Sequence, residues 1–536
     1  MNQKTYKPVV LAVMDGFGIS LEEKANAVAL AQKPVLDSLD QNYPFTALQA
    51  SGIAVGLPWG EAGNSEVGHL TMGSGRIIFH HLPRVISSIR DGTFYENEAF
   101  LKAAAHVKER GSKLHLLGLV SSGSVHSYID HLYALMRFAE QQKIPRVFLH
   151  MITDGKDALP KEGQKFLDHM AERMAKEFPH ITLADIVGRY YAMDRDEQWE
   201  RVQKAYDLYT EGKGVKIEGW PSEYIRASYE RGVTDEFIEP AYVADSEGKP
   251  IGLIEDGDAV IMFNFREDSM REIAHALADE AFDAFPRLSM PNLLVVTMTE
   301  YSKDLRAVAA FQPLEINAPL ARIIADAGLK QLHIAETEKY AHVTYFFNGG
   351  REKPFPNEDR VLIPSLQIAH LDDAPEMKAV EIASKTVEEL SRYDFILVNF
   401  ANTDMIGHSG NIEAGIKAVE IVDRAVGRLM EAVLEKDGVL IITGDHGNIE
   451  AKRDLVTGER LTEHSLNPVP FYLVGKDFKF VKPRSHEEVI AGKREVGGIL
   501  TDVAPTVLEL MGFRKPTEMN GGSLLTSLLK QISAHR

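Results

Sequence analysis

The sequence predicts an α/β protein built on a mostly parallel sheet and interrupted by a second α/β domain. Three features predict it: short apolar runs that end in polar turns, helix-patterned segments between them, and a separate series of the same kind inside the chain.

Val9 to Met14 is a short apolar run closed by Asp15-Gly16-Phe17-Gly18, which reads as a buried strand with Asp15 at its carboxyl end. Phe395 to Phe400 and Val439 to Thr443 have the same character, and Ala414 to Leu434 carries a helical pattern between them. That alternation is the signature of a parallel sheet. Between Phe79 and Gln312 a second alternation runs through Lys113 to Val120, Val147 to Thr153 and Ala259 to Phe265. Pro313, in Ala310 to Leu314, interrupts regular structure before a helix expected near Ala318, and so marks the return to the first domain. The expected division is therefore 1–79 with 313–536 for the split domain and 80–312 for the inserted one.

With 44% hydrophobic and 26% charged residues among 536, the chain can bury two separate cores. Its 78 acidic against 59 basic residues leave a net charge of −19, which disfavours nucleic acid and anionic membrane as partners. Cysteine is absent, so disulfides, thiolate metal sites and cysteine nucleophiles are excluded together. The apolar run at Val9 is too short for a signal segment or a membrane span, and a cytoplasmic enzyme is expected.

Ligands of parallel sheets collect outside the strand carboxyl ends, where Asp15, Asn402-Thr403-Asp404 and Gly444-Asp445-His446 could converge. Asp404 and His408 are spaced i, i+4, which puts both heads on one face of a helical turn. Asp445 and His446 follow an apolar strand beside glycines that leave room for a bulky ligand, and His464 precedes a further strand-like run at Phe471. Alone, each pattern is compatible with ordinary capping or loop polarity. Together, Asp15, Asp404, Asp445, His408, His446 and His464 offer three carboxylates and three imidazoles, enough for two divalent ions of the manganese or zinc type rather than calcium. Ser65, in Gly63-Asn64-Ser65-Glu66-Val67-Gly68-His69, stands at a glycine-rich entry to a helix whose amides would face a phosphate. In isolation it reads as a plain N-cap; as a nucleophile it needs a base or metal beside it.

At these motifs the chain resembles the cofactor-independent phosphoglycerate mutases of the alkaline phosphatase superfamily. The resemblance covers Val13 to Gly18, Gly63 to His69, Gly188 to Asp196, Ile334 to Thr344, the two metal motifs and Asn467 to Phe471, in family order. It implies an alkaline-phosphatase-like doubly wound domain carrying the metals and an inserted domain carrying the substrate. It further implies one ion on Asp404, His408 and His464, and another on Asp15, Asp445, His446 and the Ser65 hydroxyl. Mn2+ is the expected metal, with Zn2+ or Co2+ as alternatives, and no 2,3-bisphosphoglycerate is required. The implied reaction is glycolytic: Ser65 takes the phosphoryl group of 3-phosphoglycerate, and the retained glycerate reorients to receive it on its 2-hydroxyl. Anion binding falls by resemblance to Arg189, Arg195 and Arg266, with Lys156, His126 and Asp157 near the glycerate, Asp157 exchanging protons with it, and Lys339 on the phosphate. A monomer is expected, closing about hinges near residues 78–80 and 312–314.

The chain departs from the family pattern in three places. Ser-Asp-Gly-Gly-Val-His-Ser-His becomes Ser121 to Tyr128, with Ser122 replacing the carboxylate; Asp-Gly-Arg-Asp-Thr becomes Asp154 to Ala158, with Lys156 replacing the arginine; Asn-Phe-Arg-Pro-Asp-Arg becomes Asn264 to Ser269. Lysine cannot make the two-pronged contact of an arginine. Arg271 is the candidate to compensate for Ser269. The competing reading is a metal-dependent phosphatase or phosphomutase acting on another small phosphorylated acid.

Overall fold

The computed structural model describes residues 4–368 and 370–536. The chain forms two compact units, one of Met1–His80 with Leu314–Arg536 and one of His81–Pro313.

In the first unit, the described residues form an eight-stranded sheet in the order Glu358–Ile363, Gln331–Glu336, Phe395–Phe400, Val9–Met14, Val439–Thr443, Val469–Val474, Phe45–Gln49 and Val496–Ile499. Val9–Met14 pairs in parallel with Phe395–Phe400 on one side and Val439–Thr443 on the other, with Val13 opposite both Asn399 and Thr443. All three of these strands are fully buried, which is why they are written in unbroken apolar residues rather than alternating ones. The one strand that breaks the parallel pattern is Val469–Val474, antiparallel to both neighbours. The helix expected over Ala414 to Leu434 spans Ile412–Glu435, capped by the Asn411 side chain on Ala414 N. The helix after Pro313 begins at Leu320.

The second unit has its own eight-stranded sheet, in the order Val308–Phe311, Leu294–Thr299, Ala259–Met262, Leu114–Leu119, Val147–Thr153, Ile181–Gly188, Ala241–Tyr242 and Val215–Lys216. Only the pairing of Ile181–Gly188 with Ala241–Tyr242 is antiparallel. Helices cover both faces, giving two apolar cores, one around Leu116, Phe138 and Phe263 and one around Leu117, Tyr206 and Met262. No helix among the described residues is long and apolar enough to cross a membrane.

Candidate metal and phosphoryl-transfer site

Four adjacent parallel strands of the first unit end at one place. Val9–Met14 delivers Asp15, Val439–Thr443 delivers Asp445 and His446, Phe395–Phe400 leads into the helix Asn402–Gly407 carrying Asp404, and Gln331–Glu336 leads to Lys339. Backbone amides and helix starts point outward at such ends, so a parallel sheet gathers anionic groups and their partners there. The turns are tight: Gly16 adopts φ +69°, and a Cβ on it would lie 2.7 Å from Asp404 Cα. Gly68 is equally constrained, since a Cβ there would meet the Asp445 carbonyl oxygen at 2.6 Å.

Ser65 is the first residue of the helix Ser65–Ser74, and the cap is the preceding residue, whose Asn64 side chain accepts from Val67 N. The plain-cap reading of Ser65 is thereby set aside, and its hydroxyl is free for other partners. Buried at 5% exposure, its Oγ donates to Asp15 Oδ1 at 2.9 Å, lies 3.0 Å from His446 Nε2 and accepts from Lys339 Nζ at 2.6 Å. Lys339 also reaches Asp15 Oδ1 at 2.6 Å and Asp404 Oδ2 at 2.5 Å.

The imidazoles are oriented by the backbone. His408 Nδ1 donates to the Thr462 carbonyl at 2.9 Å and His464 Nδ1 to the Gly63 carbonyl at 2.8 Å, because a carbonyl can only accept. Both Nε2 atoms then face inward, 3.1 Å from each other and 3.4 and 3.2 Å from Asp404 Oδ1. Two imidazole nitrogens and a carboxylate oxygen that converge in this way share one small region, which a single cation could occupy as their common partner. Asp445 Oδ1 accepts from Gly16 N and His446 N, each at 3.0 Å, whereas its buried Oδ2 has no hydrogen-bond donor. The ligand atoms of Asp404, His408 and His464, of Asp15, Asp404 and His446, and of Asp15, His69 and Asp445 lie within 4.8 Å of one another in each set. This donor chemistry, mixed nitrogen and oxygen with excess negative charge, fits two divalent transition-metal ions.

The charge excess shows in the proton affinities. Burial alone would lower His446, but Asp445, Asp404 and Asp15 outweigh it and raise the imidazole to about 9. Lys339 is likewise held above its ordinary value, the same carboxylates overcoming the effect of burial. Burial would raise Asp15 and Asp404, yet the Lys339 charge keeps both well below the usual carboxylate range. A surface pocket lined by Gly60 to Asn64, His408, Thr462 and His464 opens beside the cluster.

The second unit carries a different cluster. Arg189 Nη1 donates to Asp154 Oδ1 at 2.6 Å and Asp157 Oδ2 at 2.5 Å, and His126 Nε2 lies 3.4 Å from the same Asp157 oxygen. Arg195 and Arg266, both half exposed, converge on Asp268 Oδ2 at 3.0 and 3.1 Å. Lys156 has an exposed side chain, and its backbone N–H donates to Asp154 Oδ1. Ser122 binds Glu162 through Oγ at 2.7 Å. Ser269 is buried, with no partner for its hydroxyl. Arg271 directs Nε to the Tyr301 carbonyl at 2.9 Å, so the expectation that it substitutes for an arginine at 269 finds no support in its contacts.

The Metalloenzyme superfamily matches residues 7–515. The 2,3-bisphosphoglycerate-independent phosphoglycerate mutase of Clostridium botulinum is 47% identical over 522 residues, 97% of this chain and 99% of that protein. The corresponding protein of Moorella thermoacetica is 45% identical over 520 residues, 97% and 98% of the two chains. The chain belongs to the 2,3-bisphosphoglycerate-independent phosphoglycerate mutase family. Among solved structures, the phosphoglycerate mutase of Leishmania mexicana at low cobalt concentration aligns with a TM-score of 0.55 and 31% identity, covering 97% of this chain and 99% of that one.

Sequence reasoning overlooked four supporting groups, three in the first unit and one, Asp268, in the second. Asn399 Nδ2 donates to Asp15 Oδ2 at 2.7 Å and lies 3.1 Å from His69 Nε2. Asn399 is a strand residue and His69 a helix residue four positions after Ser65; neither position differs in pattern from core. Asp268 holds two arginines, one of them Arg266 of its own motif, where the sequence reading singled out Arg266 and the missing arginine but not this carboxylate. Lys452 is fully buried, and burial lowers it to about 8, with Glu450 and Asp404 opposing the fall. Nothing in its local sequence distinguishes it from a surface lysine.

Proposed function

We propose that the chain is an isomerase interconverting 3-phosphoglycerate and 2-phosphoglycerate, with Ser65 as the temporary carrier of the phosphoryl group. The observation that carries this reading is the Ser65 hydroxyl, buried and touching Asp15, His446 and Lys339 at once. Ser65 gives up its hydroxyl proton, its oxygen attacks phosphorus, and the bond from phosphorus to the C3 oxygen of glycerate breaks, with Asp157 delivering a proton to that departing oxygen so that one proton is lost by serine and one gained by glycerate. Lys339, cationic and fixed between two carboxylates, is placed to neutralise charge on the phosphoryl oxygens. In the second transfer Asp157 takes the proton of the glycerate 2-hydroxyl, whose oxygen attacks the phosphorylated serine, and Ser65 Oγ departs and recovers the proton it lost in the first.

Asp404, His408 and His464 are proposed to hold one divalent ion and Asp15, Asp445, His446 and Ser65 the other, Mn2+ being the proposed metal. When bound, such ions supply Lewis acidity that lowers the serine hydroxyl pKa and offsets phosphate charge. His126, Lys156, Asp157, Arg189, Arg195 and Arg266 are proposed to hold the phosphoglycerate, with Asp157 exchanging protons with its hydroxyls. Arg189 is well suited, since two carboxylates fix its plane before substrate arrives.

The deciding experiment follows 2-phosphoglycerate and free phosphate together, from 3-phosphoglycerate with Mn2+ and no bisphosphate. Isomer without free phosphate is expected. Phosphate without isomer would transfer the chain to the phosphatases.

A further inference from the structure

Lys452 has no place in the phosphoryl-transfer scheme, yet it lies fully buried beside the ligands. An ammonium has three N–H donors and no acceptor, so a buried lysine needs three acceptors to be satisfied. Lys452 Nζ finds all three: the Gly407 carbonyl at 3.1 Å, the Glu463 carbonyl at 3.4 Å, and Asn448 Oδ1 in a short contact.

What those acceptors belong to is the telling feature. Gly407 immediately precedes His408, and Glu463 immediately precedes His464. Asn448 in turn donates its Nδ2 to Asp404 Oδ1 at 2.7 Å and to the Asp404 carbonyl at 3.2 Å. Because the ammonium cannot accept, it forces the amide oxygen of Asn448 toward itself and the amide nitrogen toward the carboxylate. With an apolar side chain in its place, the Asn448 amide oxygen would lose its donor, and only the two Asp404 acceptors would hold the group. We propose that Lys452 is a positioning residue for a single metal subsite, one cation tying together the Gly407 carbonyl that precedes His408, the Glu463 carbonyl that precedes His464 and, through Asn448, the carboxylate of Asp404. Such outer partners hold the backbone from which the ligands project, while the Thr462 and Gly63 carbonyls set the imidazole planes. The other ligand set, Asp15, Asp445 and His446, makes no hydrogen bond to Lys452.

This inference rests on the ligand assignment proposed above, and the experiment separates the two. Mn2+ binding to the metal-stripped full chain is measured by equilibrium dialysis for the wild type, His408→Ala, Lys452→Met, Asn448→Leu and the double variant. The wild type should bind two ions, and His408→Ala should lose one, which identifies its subsite; no His408-dependent ion would sink the ligand assignment and this proposal with it. Lys452→Met is expected to weaken that same ion roughly 10- to 100-fold while the other keeps its affinity. Equal weakening of both ions, or of neither, overturns the proposal. On the Asn448→Leu background the effect of Lys452→Met should shrink, because one arm of the contact is already gone; full additivity overturns the relay through Asn448. Should Lys452→Met fail to fold, Asn448→Leu alone carries the test: a smaller loss confined to the His408-dependent ion supports it, and two ions at wild-type affinity overturn it.

Discussion

Two fully buried histidines, one in each unit, shift in opposite directions. His446 in the first is raised to about 9, and His115 in the second is lowered to about 4. Burial pushes both down, so the difference lies in the neighbours. His446 faces the carboxylates of Asp15, Asp404 and Asp445. His115 belongs to a balanced relay: its Nε2 meets Asp258 Oδ2 at 3.1 Å, its Nδ1 meets His150 Nε2 at 2.9 Å, and His150 Nδ1 meets Asp185 Oδ2 at 2.6 Å. The first arrangement holds negative charge in surplus and is suited to attract cations; the second distributes its protons and is suited to stay closed. The same residue type at the same depth is thus placed to meet a cation or to act as a strut according to how many carboxylates surround it.

The sharpest way to break this contrast is at Ser65, the group the surplus charge surrounds. Ser65→Ala should reduce isomerisation by at least about 10^4-fold while metal-stripped protein still takes up Mn2+, because Asp15, Asp445 and His446 remain. Turnover near the starting rate would remove Ser65 from the chemistry.

A smaller effect tests the relay. His115 has a folded pKa of about 4 against 6.5 unfolded, so the unfolded chain binds the extra proton between those values. Its contribution to stability is therefore complete above pH 6.5 and is lost as pH falls toward 4, about 3 kcal/mol in all. Urea unfolding at several pH values should show this slope in the wild type and a reduced one in His115→Gln. Identical slopes would mean that the relay does not control the imidazole.

The mildest effect concerns the arginines of the second unit, which the protein neutralises with its own Asp268. Asp268→Asn leaves Arg195 and Arg266 more available to an anionic substrate, and the KM for 3-phosphoglycerate should fall roughly threefold at low salt, the scale of an exposed ion pair. A higher KM would show that Asp268 serves to orient the two guanidinium groups.

The depth to which the site was legible follows from where each residue lies in the chain. Asp15, Asp445 and His446 adjoin unbroken apolar runs that can only be buried strands, and their position at the strand ends could be read directly. Asp404 and His408 share a helical turn, a local geometry that spacing reports. The role of Ser65 could not be settled locally, because a cap and a nucleophile look alike until Asn64 is seen to take the capping bond.

By itself the sequence determined the two-sheet α/β architecture, the residue types able to bind metal and the family resemblance, since periodicity and motif are properties of neighbouring positions. Only the tertiary structure decided that Asn399 supports Asp15, that Asp268 restrains two arginines, and that Lys452 joins the surroundings of His408, His464 and Asp404. These are pairings of polar groups brought together by packing of distant segments. A buried hydrogen bond depends on which acceptor lies within about 3 Å of a donor, and no pattern along the chain encodes that distance.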